Sequence, residues 1–291
     1  MTLWKVLAAA VLLGAACGAL AAPDAVVETL QAPAWLTRDG RRLPLAAGTG
    51  LRNGDEVSTG AGSRVLLRLA DGSGVKLGEN GSLKLEQLAV QRDAGRLLRA
   101  TLKVLEGAFR FTTALASRSR YRHEVEVQFA TFTAGVRGTD IWGRNFGDRE
   151  VVVLIEGRIS VRRGADRPVE MNEALTYYQA PAQGEPSVQP IAPALLGDWA
   201  QQTELQKGRG AQSLDGRWKL DLARYDEQEA ALALYDSLRR DGYPARILPR
   251  ARQGGHHYYV RLAGFPGRGE AEALGKRLRE AYPGISPAAS R

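Results

Sequence analysis

Charged and aromatic residues alternate with apolar ones near the C-terminus, in the pattern of strands with one exposed face. His257, Tyr259 and Arg261 follow this alternation, and Lys219 and Asp221 follow it in a similar segment upstream. Side chains alternate between the two faces of a strand, so each set is expected to point away from the apolar core. The candidate binding residues are Lys219, Asp221, Arg246, His257, Tyr259 and Arg261. Because arginine binds carboxylates through paired hydrogen bonds, this face is suited to an anionic ligand.

The overall charge favours the same type of ligand. The chain has 291 residues, with 40 Lys and Arg against 32 Asp and Glu, a net charge of +8 and a pI near 9.8. Residues 217–291 contain 14 Lys and Arg against 9 Asp and Glu, so this quarter carries most of the excess. Such a balance indicates anionic partners without identifying one.

The residue inventory argues against most enzyme classes. One Cys and three His leave little material for thiol chemistry, metal sites or a His-based triad. The sequence has no P-loop, no metal-ligand spacing and no nucleophile next to a base. His123, which lies beside Arg120 and Arg122, is expected to be a solvated loop residue. We therefore expect a binding protein that is not an enzyme and needs no cofactor or metal.

A strand–helix unit occurs twice in the C-terminal part of the chain. Leu220 to Tyr225 matches Val260 to Phe265, and the helical apolar positions that follow also match. The order β-α-β-β-α-β with an internal repeat predicts a small α+β, ferredoxin-like domain over 215–291. The predicted elements are a strand over 218–225, a helix over 226–241 with Asp226 as N-cap, strands over 245–248 and 258–265, a second helix, and a last strand beginning at 284–286.

The middle of the chain has the two-residue period of β-strands. Between residues 26 and 163 the apolar alternation is interrupted by Gly and Asp at intervals of about 8–12 residues, which predicts an all-β sandwich or roll. Glu156-Gly157 is interpreted as a turn between the last two strands. The predicted strands are 65–69, 75–77, 82–88, 101–105, 108–111, 124–129, 151–155 and 159–161.

The N-terminus has the layout of a secretory signal peptide. Lys5 precedes an apolar run that ends near Cys17, and Ala19-Leu20-Ala21 is a small-x-small cleavage site. We expect residues 1–21 to be removed, leaving a periplasmic protein without a membrane span, because no second apolar run of about 18 residues follows. The alternative is lipid attachment at Cys17, although Gly14 stands where a lipidation box usually has Leu.

Residues 166–214 are predicted to be a Pro- and Gly-rich linker with a short helix. Four prolines between 180 and 193 favour an extended, exposed spacer, and 207–216 is Gly-rich and expected to be flexible. Residues 194–207 are predicted to contain an amphipathic helix whose Trp199 packs on the β domain. Because such a spacer offers few long-range contacts, the flanking domains are expected to fold independently.

Five spaced motifs over residues 26–165 resemble the periplasmic FecR-like domain. They are Leu51–Thr59, Ala70–Ser73, Leu105–Phe109, Ala134–Asp140 and Ile155–Ile159. Many members of this family transmit a signal from an outer-membrane receptor to a sigma factor, through a cytoplasmic segment and a membrane span. Here a signal peptide occupies the N-terminus, so only the extracytoplasmic β module is implied. Within the most specific motif, Arg137-Gly138-Thr139 is interpreted structurally, with Gly138 allowing a bulge and Arg137 bonding to nearby carbonyls.

The C-terminal segment, about residues 215–291, resembles the SPOR domain. The matching residues are the strand that ends at Tyr225, the helix end Leu238–Ala245, and the strand Tyr258–Phe265. The resemblance implies binding to peptidoglycan glycan strands that have lost their stem peptides. Such strands expose a lactyl carboxylate on each disaccharide, and their sugar faces can stack on Tyr259. We expect Tyr259 and Arg261 to contribute most, whereas Asp221 replaces a glutamine that is common in the family.

These observations favour an exported envelope protein that binds glycan strands and presents its FecR-like domain to an envelope protein. The alternative is a signalling or scaffold protein related to FecR-type regulators, with the wall-binding domain as its tether. RNA is a further possibility, because the same fold with exposed aromatic residues binds single strands. Export argues against it, so no nucleic acid is expected as a partner.

Overall fold

The computed structural model describes residues 24–91, 97–115 and 120–291. The predicted signal peptide and Cys17 lie outside these ranges. In the described ranges the chain is mostly β, with a large sheet assembly, three helices and a separate small sheet at the C-terminus. This confirms in outline the prediction of an all-β part followed by an α+β domain.

The large assembly is one branched sheet that encloses a main hydrophobic core, with a second, smaller cluster around Trp142. Strand β9 is the central strand, because it pairs with four others: β7, β8 and β11 in antiparallel orientation and β10 in parallel orientation. Phe109, Phe111 and Leu102 of β9 are fully buried. The strands are β1 (Ala25–Gln31), β2 (Ala34–Arg38), β3 (Arg41–Pro44), β4 (Gly50–Leu51), β5 (Glu56–Thr59), β6 (Arg64–Leu69), β7 (Gly74–Leu77), β8 (Ser82–Gln91), β9 (Leu97–Thr112), β10 (Arg122–Gln128), β11 (Thr133–Asn145), β12 (Arg149–Arg162), β13 (Val169–Met171), β14 (Thr176–Pro181), β15 (Ser187–Pro190) and β16 (Ala211–Ser213).

The alternating runs form strands as predicted, with two corrections, because 101–105 and 108–111 both belong to β9, and 151–155 and 159–161 both belong to β12. Glu156-Gly157 is not a turn, because β12 continues through it from Arg149 to Arg162. The register between β11 and β12 shifts there, on either side of Asp140. Gly157 has a φ of +94°, and a Cβ at this position would lie 2.7 Å from Thr139 Cγ2. Glycine therefore allows a bulge at this point, where a turn was expected.

The predicted linker is not an extended, exposed spacer. Three of its prolines lie in or beside β14 and β15, which add to the large sheet next to β12. Helix α1 (Pro193–Gln201) follows, and its Trp199 ring stacks on the buried Trp142 with the ring centroids 5.0 Å apart. The predicted packing of Trp199 is confirmed. Proline composition was misleading here because β15 is an edge strand, where a missing N–H costs no ladder hydrogen bond.

Residues 202–216, which we call the strap, are fastened to the large sheet. Glu204 accepts hydrogen bonds from Lys76 Nζ at 2.6 and 2.7 Å and from Arg110 Nη1 at 2.9 Å. Arg110 also forms a bidentate pair with Asp140, at 2.7 and 2.9 Å, and hydrogen bonding to Asp140 raises the pKa of its guanidinium. Strand β16, within the strap, pairs with β1. The expected flexibility of residues 207–216 is therefore replaced by specific contacts.

The C-terminal unit has the predicted element order. It contains β17 (Trp218–Tyr225), α2 (Gln228–Arg240), β18 (Arg246–Arg252), β19 (Gly255–Phe265), α3 (Arg268–Ala281) and β20 (Ala288–Ser290). The strands pair antiparallel in the order β18-β19-β17-β20. One face of this sheet is covered by the two helices, and Leu220, Leu222, Val260 and Leu262 are buried there.

Two local predictions in this unit are corrected. The N-cap of helix α2 is Glu227, the residue after the expected Asp226, and it makes no side-chain cap. Asp226 does not cap the helix, because its carboxylate bonds to His257. The last strand lies over Ala288–Ser290, not at 284–286. Ile285 is instead a buried residue of the core of this unit, outside any strand.

The C-terminal unit is docked on the large sheet. The Ala34 N–H donates to the Gly242 carbonyl at 3.1 Å, and Trp35 Nε1 donates to the Arg240 carbonyl at 3.1 Å. Arg277 Nη2 bonds to the Ala32 carbonyl at 2.8 Å. Tyr243 packs against both hydrophobic cores. The expectation of few long-range contacts between the two parts is therefore wrong.

Candidate functional site

The uncovered face of the small sheet brings the predicted binding residues together. Cross-strand register places Asp221 beside Arg261 and Arg261 beside Arg246, so the three share one face. Tyr259 is in register with Leu248 on β18 and Arg224 on β17. We call this surface the open face; it comprises Lys219, Asp221, Arg224, Arg246, Leu248, Arg250, His257, Tyr259 and Arg261.

Arg261 is engaged inside the protein. Its Nε and Nη2 atoms donate to the two carboxylate oxygens of Asp221 at 2.6 and 2.8 Å. Only 13% of the Arg261 side chain and 22% of the Asp221 side chain are exposed. Hydrogen bonding to Asp221 raises the pKa of the Arg261 guanidinium above its ordinary value. Arg261 thus already has a carboxylate partner, which revises the expectation that it is a major cation for a ligand.

Tyr259 lies at the middle of the open face. Strand β19 has β18 on one side and β17 on the other, so its outward residues are flanked by side chains from both strands. The guanidinium of Arg250 lies over the Tyr259 ring, 5.0 Å from its centroid. This cation–π contact orients the half-buried ring and places a positive charge beside it.

The rim of the open face contains the remaining candidates. His257 Nδ1 lies 2.5 Å from Asp226 Oδ1, and Lys219 Nζ donates to the Arg291 carbonyl at 3.3 Å. Arg246 and Arg224 are exposed, and in the described part of the chain neither has an ion pair or side-chain hydrogen bond. These two arginines are therefore the cations most available to an incoming carboxylate.

Sequence reasoning missed Arg224 because of a bulge. Strict alternation from Asp221 would put Ala223 outward and Arg224 inward. The β17–β19 register shifts between Asp221 and Ala223, which turns Ala223 towards the core and Arg224 outward. The sequence contains no glycine or proline at this point that would have signalled the bulge.

A second polar cluster lies in the large sheet, and it corrects the expectation for His123. This residue belongs to β10, only 7% of its side chain is exposed, and Nε2 lies 3.1 Å from Asp71 Oδ2. Asp71 also accepts from Ser73 Oγ at 2.6 Å. The carboxylate lies between the histidine and the serine, so the imidazole is not placed to take a proton from the Ser73 hydroxyl. We interpret the cluster as a buried support for the tight turn at 70–73.

Family models match two parts of the chain. The model described as "FecR protein" matches residues 55–160, and the model described as "SPOR domain" matches residues 214–290. The chain contains a FecR domain and a SPOR domain. The SPOR domain indicates peptidoglycan binding and the FecR domain indicates a periplasmic, signalling-like region, so both point to the cell envelope.

The similarity of this chain to solved structures is low. Two crystal structures of a candidate anti-sigma factor from Parabacteroides distasonis ATCC 8503 are similar, with 13% and 14% identity and a TM-score of 0.40 each. The similarity covers 78% of this chain in both cases, and 91% and 90% of the other chains. No curated protein matches. Across the described residues, none of the helices combines the length and apolarity that a bilayer crossing requires.

Proposed function

We propose that this protein attaches to peptidoglycan by binding denuded glycan strands on the open face of its SPOR domain. The observation that carries the proposal is the central Tyr259 ring, which is surrounded by arginines from three strands. A sugar ring can stack on the tyrosine while its lactyl carboxylate reaches a guanidinium. We also propose that the protein acts by binding and not by catalysis, after export to the periplasm.

The free and engaged cations of the open face have different roles in this proposal. Arg246 and Arg224 bind ligand carboxylates, because both are exposed and lie on either side of β19. Asp221 and Arg261 neutralise each other beside Tyr259, so neither of the two is free to bind the ligand. Family members commonly have a glutamine at the position of Asp221. Because Asp221 pairs with Arg261 here, Arg246 and Arg224 are the arginines that meet the ligand.

The C-terminal unit is assigned a ferredoxin-like arrangement within the same proposal. Support comes from the antiparallel order β18-β19-β17-β20 with both helices on one face. This arrangement leaves the opposite face free for an extended ligand. Glycan strands are long linear polymers, so an open sheet surface suits them better than a closed pocket.

The FecR domain is proposed to bind an envelope protein. In the alternative function, a periplasmic signalling or scaffold protein, that contact is the main activity and wall binding only fixes its location. The docked arrangement of the two parts favours neither function alone, since it would hold the FecR domain at a fixed orientation to the wall in both cases.

The proposal is tested by titrating the full chain with purified denuded glycan oligosaccharides in a calorimeter. Loss of a charge-assisted hydrogen bond costs about 1.5–3 kcal/mol, which is roughly tenfold to a hundredfold in affinity. We expect that loss for Arg246→Ala and for Arg224→Ala. Arg279→Ala is the matched control, because Arg279 is exposed in the last turn of α3, on the covered side of the sheet. Equal affinities for all four proteins would contradict the proposed site.

A further inference from the structure

The FecR domain has a groove that the proposed glycan site does not involve. Its volume is about 740 Å³, and it crosses strands β9 to β13 on the polar side of the large sheet. We call it the cross-strand groove. One row of its residues consists of Glu126, Gly135 and Ser160, which are neighbours in the β10–β11–β12 register. The adjoining row contains Arg137 and Arg158.

Arg137 and Arg158 are two like charges that lie next to each other without an ion-pair partner among the described residues. They lie directly opposite each other on β11 and β12, and both are exposed. In the described ranges neither guanidinium has an ion pair or a hydrogen bond, so Arg137 does not bond to carbonyls as its motif predicted. Like charges opposite each other destabilise a sheet. By contrast, Arg99 in the same groove is neutralised by Glu124 at 2.6 Å.

Gly135 gives an independent indication that the groove is kept open. Its φ is not in the left-handed region, and a Cβ at this position would meet only the Ser160 carbonyl oxygen, at 3.7 Å. Neither backbone conformation nor crowding therefore requires glycine, in contrast to Gly157. Glycine within a strand weakens it and often marks close approach of a ligand or another backbone. Because the neighbours of Gly135 in register line the groove, a side chain here would project into it.

The lining residues indicate what kind of ligand fits. Two unpaired guanidinium groups side by side suit a carboxylate, which both can bind. In the next row, the Glu126 carboxylate and the Ser160 hydroxyl, which donates to Glu170 at 2.6 Å, provide acceptors for N–H groups. The imidazole of His123 is the only aromatic ring lining the groove among the described residues, so stacking of sugar rings has no platform here.

We propose that the cross-strand groove binds an extended acidic peptide segment of a partner protein, with a carboxylate held between Arg137 and Arg158. The peptide N–H groups face Glu126, and Gly135 forms the floor beneath the peptide backbone. This site rests on the proposed binding of an envelope protein by the FecR domain, but it is separate from the open face of the SPOR domain and does not depend on glycan binding. It assigns a binding role to the Arg137 and Gly135 positions of the motif Ala134–Asp140, whose Asp140 instead holds Arg110.

The test uses the full chain, labelled with ¹⁵N, and the peptide acetyl-Ala-Glu-Ala-Glu-Ala-amide as probe. The expected result is shifts of amide signals around residues 135–137 and 158–160, with no such shifts for the matched Gln peptide. Arg158→Gln should weaken binding about tenfold or more. Gly135→Leu should abolish it by filling the groove. Arg162→Gln, an exposed arginine on the same strand outside the groove, should bind like the wild type.

Stability measurements separate a binding role from a structural one. Without peptide, Arg158→Gln should keep or raise the melting temperature, because it relieves the repulsion with Arg137. A lower melting temperature would show that Arg158 stabilises the fold and would contradict the proposal. Equal shifts with the Glu and Gln peptides, unchanged binding by Arg158→Gln, or stronger shifts with a neutral oligosaccharide would each overturn it. If Gly135→Leu does not fold, the Arg158→Gln titration alone decides.

Discussion

Gly242→Ala is expected to uncouple the two domains. Gly242 follows α2 with a φ of +84°. Its carbonyl oxygen accepts a hydrogen bond from the N–H of Ala34, which belongs to the large sheet. A Cβ at this position would lie 2.7 and 2.8 Å from two carbons of the Trp35 indole, well inside van der Waals contact. The indole must move, and its Nε1 hydrogen bond to the Arg240 carbonyl is then lost.

The size of the effect follows from these contacts. A non-glycine residue in the left-handed conformation costs about 1–2 kcal/mol wherever it occurs. The Ala34–Gly242 and Trp35–Arg240 hydrogen bonds contribute about 0.5–1.5 kcal/mol each. If displacement of the indole breaks both, Gly242→Ala should lose about 1–3 kcal/mol beyond the conformational cost. One kcal/mol shifts the melting temperature of a chain of this size by about 2–4 °C, which makes the excess about 2–12 °C.

Scanning calorimetry of the full chain measures this excess. Gly284→Ala is the matched control, since Gly284 has a φ of +93° and no atom lies within 4 Å of the position that a Cβ would take there. The control should show the conformational cost alone. For Gly242→Ala we also expect the unfolding of the two domains to separate into distinct transitions. Equal melting temperatures for the two variants, with one shared transition, would refute the docking of the domains through Trp35.

Three further predictions concern the open face, the strap and export. Asp221→Asn frees Arg261, so binding of carboxylate-bearing glycan should tighten severalfold and depend more steeply on salt; unchanged affinity at low salt would contradict this. Glu204→Gln removes the anion that Lys76 and Arg110 share. Because these groups are partly exposed, the loss should be only about 1 kcal/mol, with faster proteolysis of the strap; an unchanged cleavage rate would argue against its role as a fastener. N-terminal sequencing of the exported protein should read Ala-Pro-Asp, whereas an intact Met1 or a lipid on Cys17 would exclude the expected processing.

The strands could be predicted because the alternation of apolar and polar residues that marks a strand lies within one short run of sequence. Apolar residues alternate within each run, as in 124–129, and burial of one face follows directly from that pattern. The same reasoning placed Tyr259 and Arg261 outward. It could not show that Arg261 pairs with Asp221, because that contact depends on the register between strands 40 residues apart.

The strap could not be predicted for a related reason. Its Gly and Pro content is that of an exposed spacer, but its fixed position comes from single residues that find distant partners. Glu204 lies 128 residues from Lys76 in the chain, and Gln206 bonds to Gln31, 175 residues away. Composition reports the local backbone preference, whereas these contacts depend on the completed sheet.

Glycan binding by the open face is tested most directly by co-sedimentation of the full chain with sacculi before and after amidase treatment. Amidase removes the stem peptides, so we expect clearly more protein in the pellet with treated sacculi. Tyr259→Ala should lose this gain, whereas Tyr235→Ala, a tyrosine on α2 at the covered side of the sheet, should keep it. Equal binding to treated and untreated sacculi, or an undiminished gain with Tyr259→Ala, would contradict the assignment.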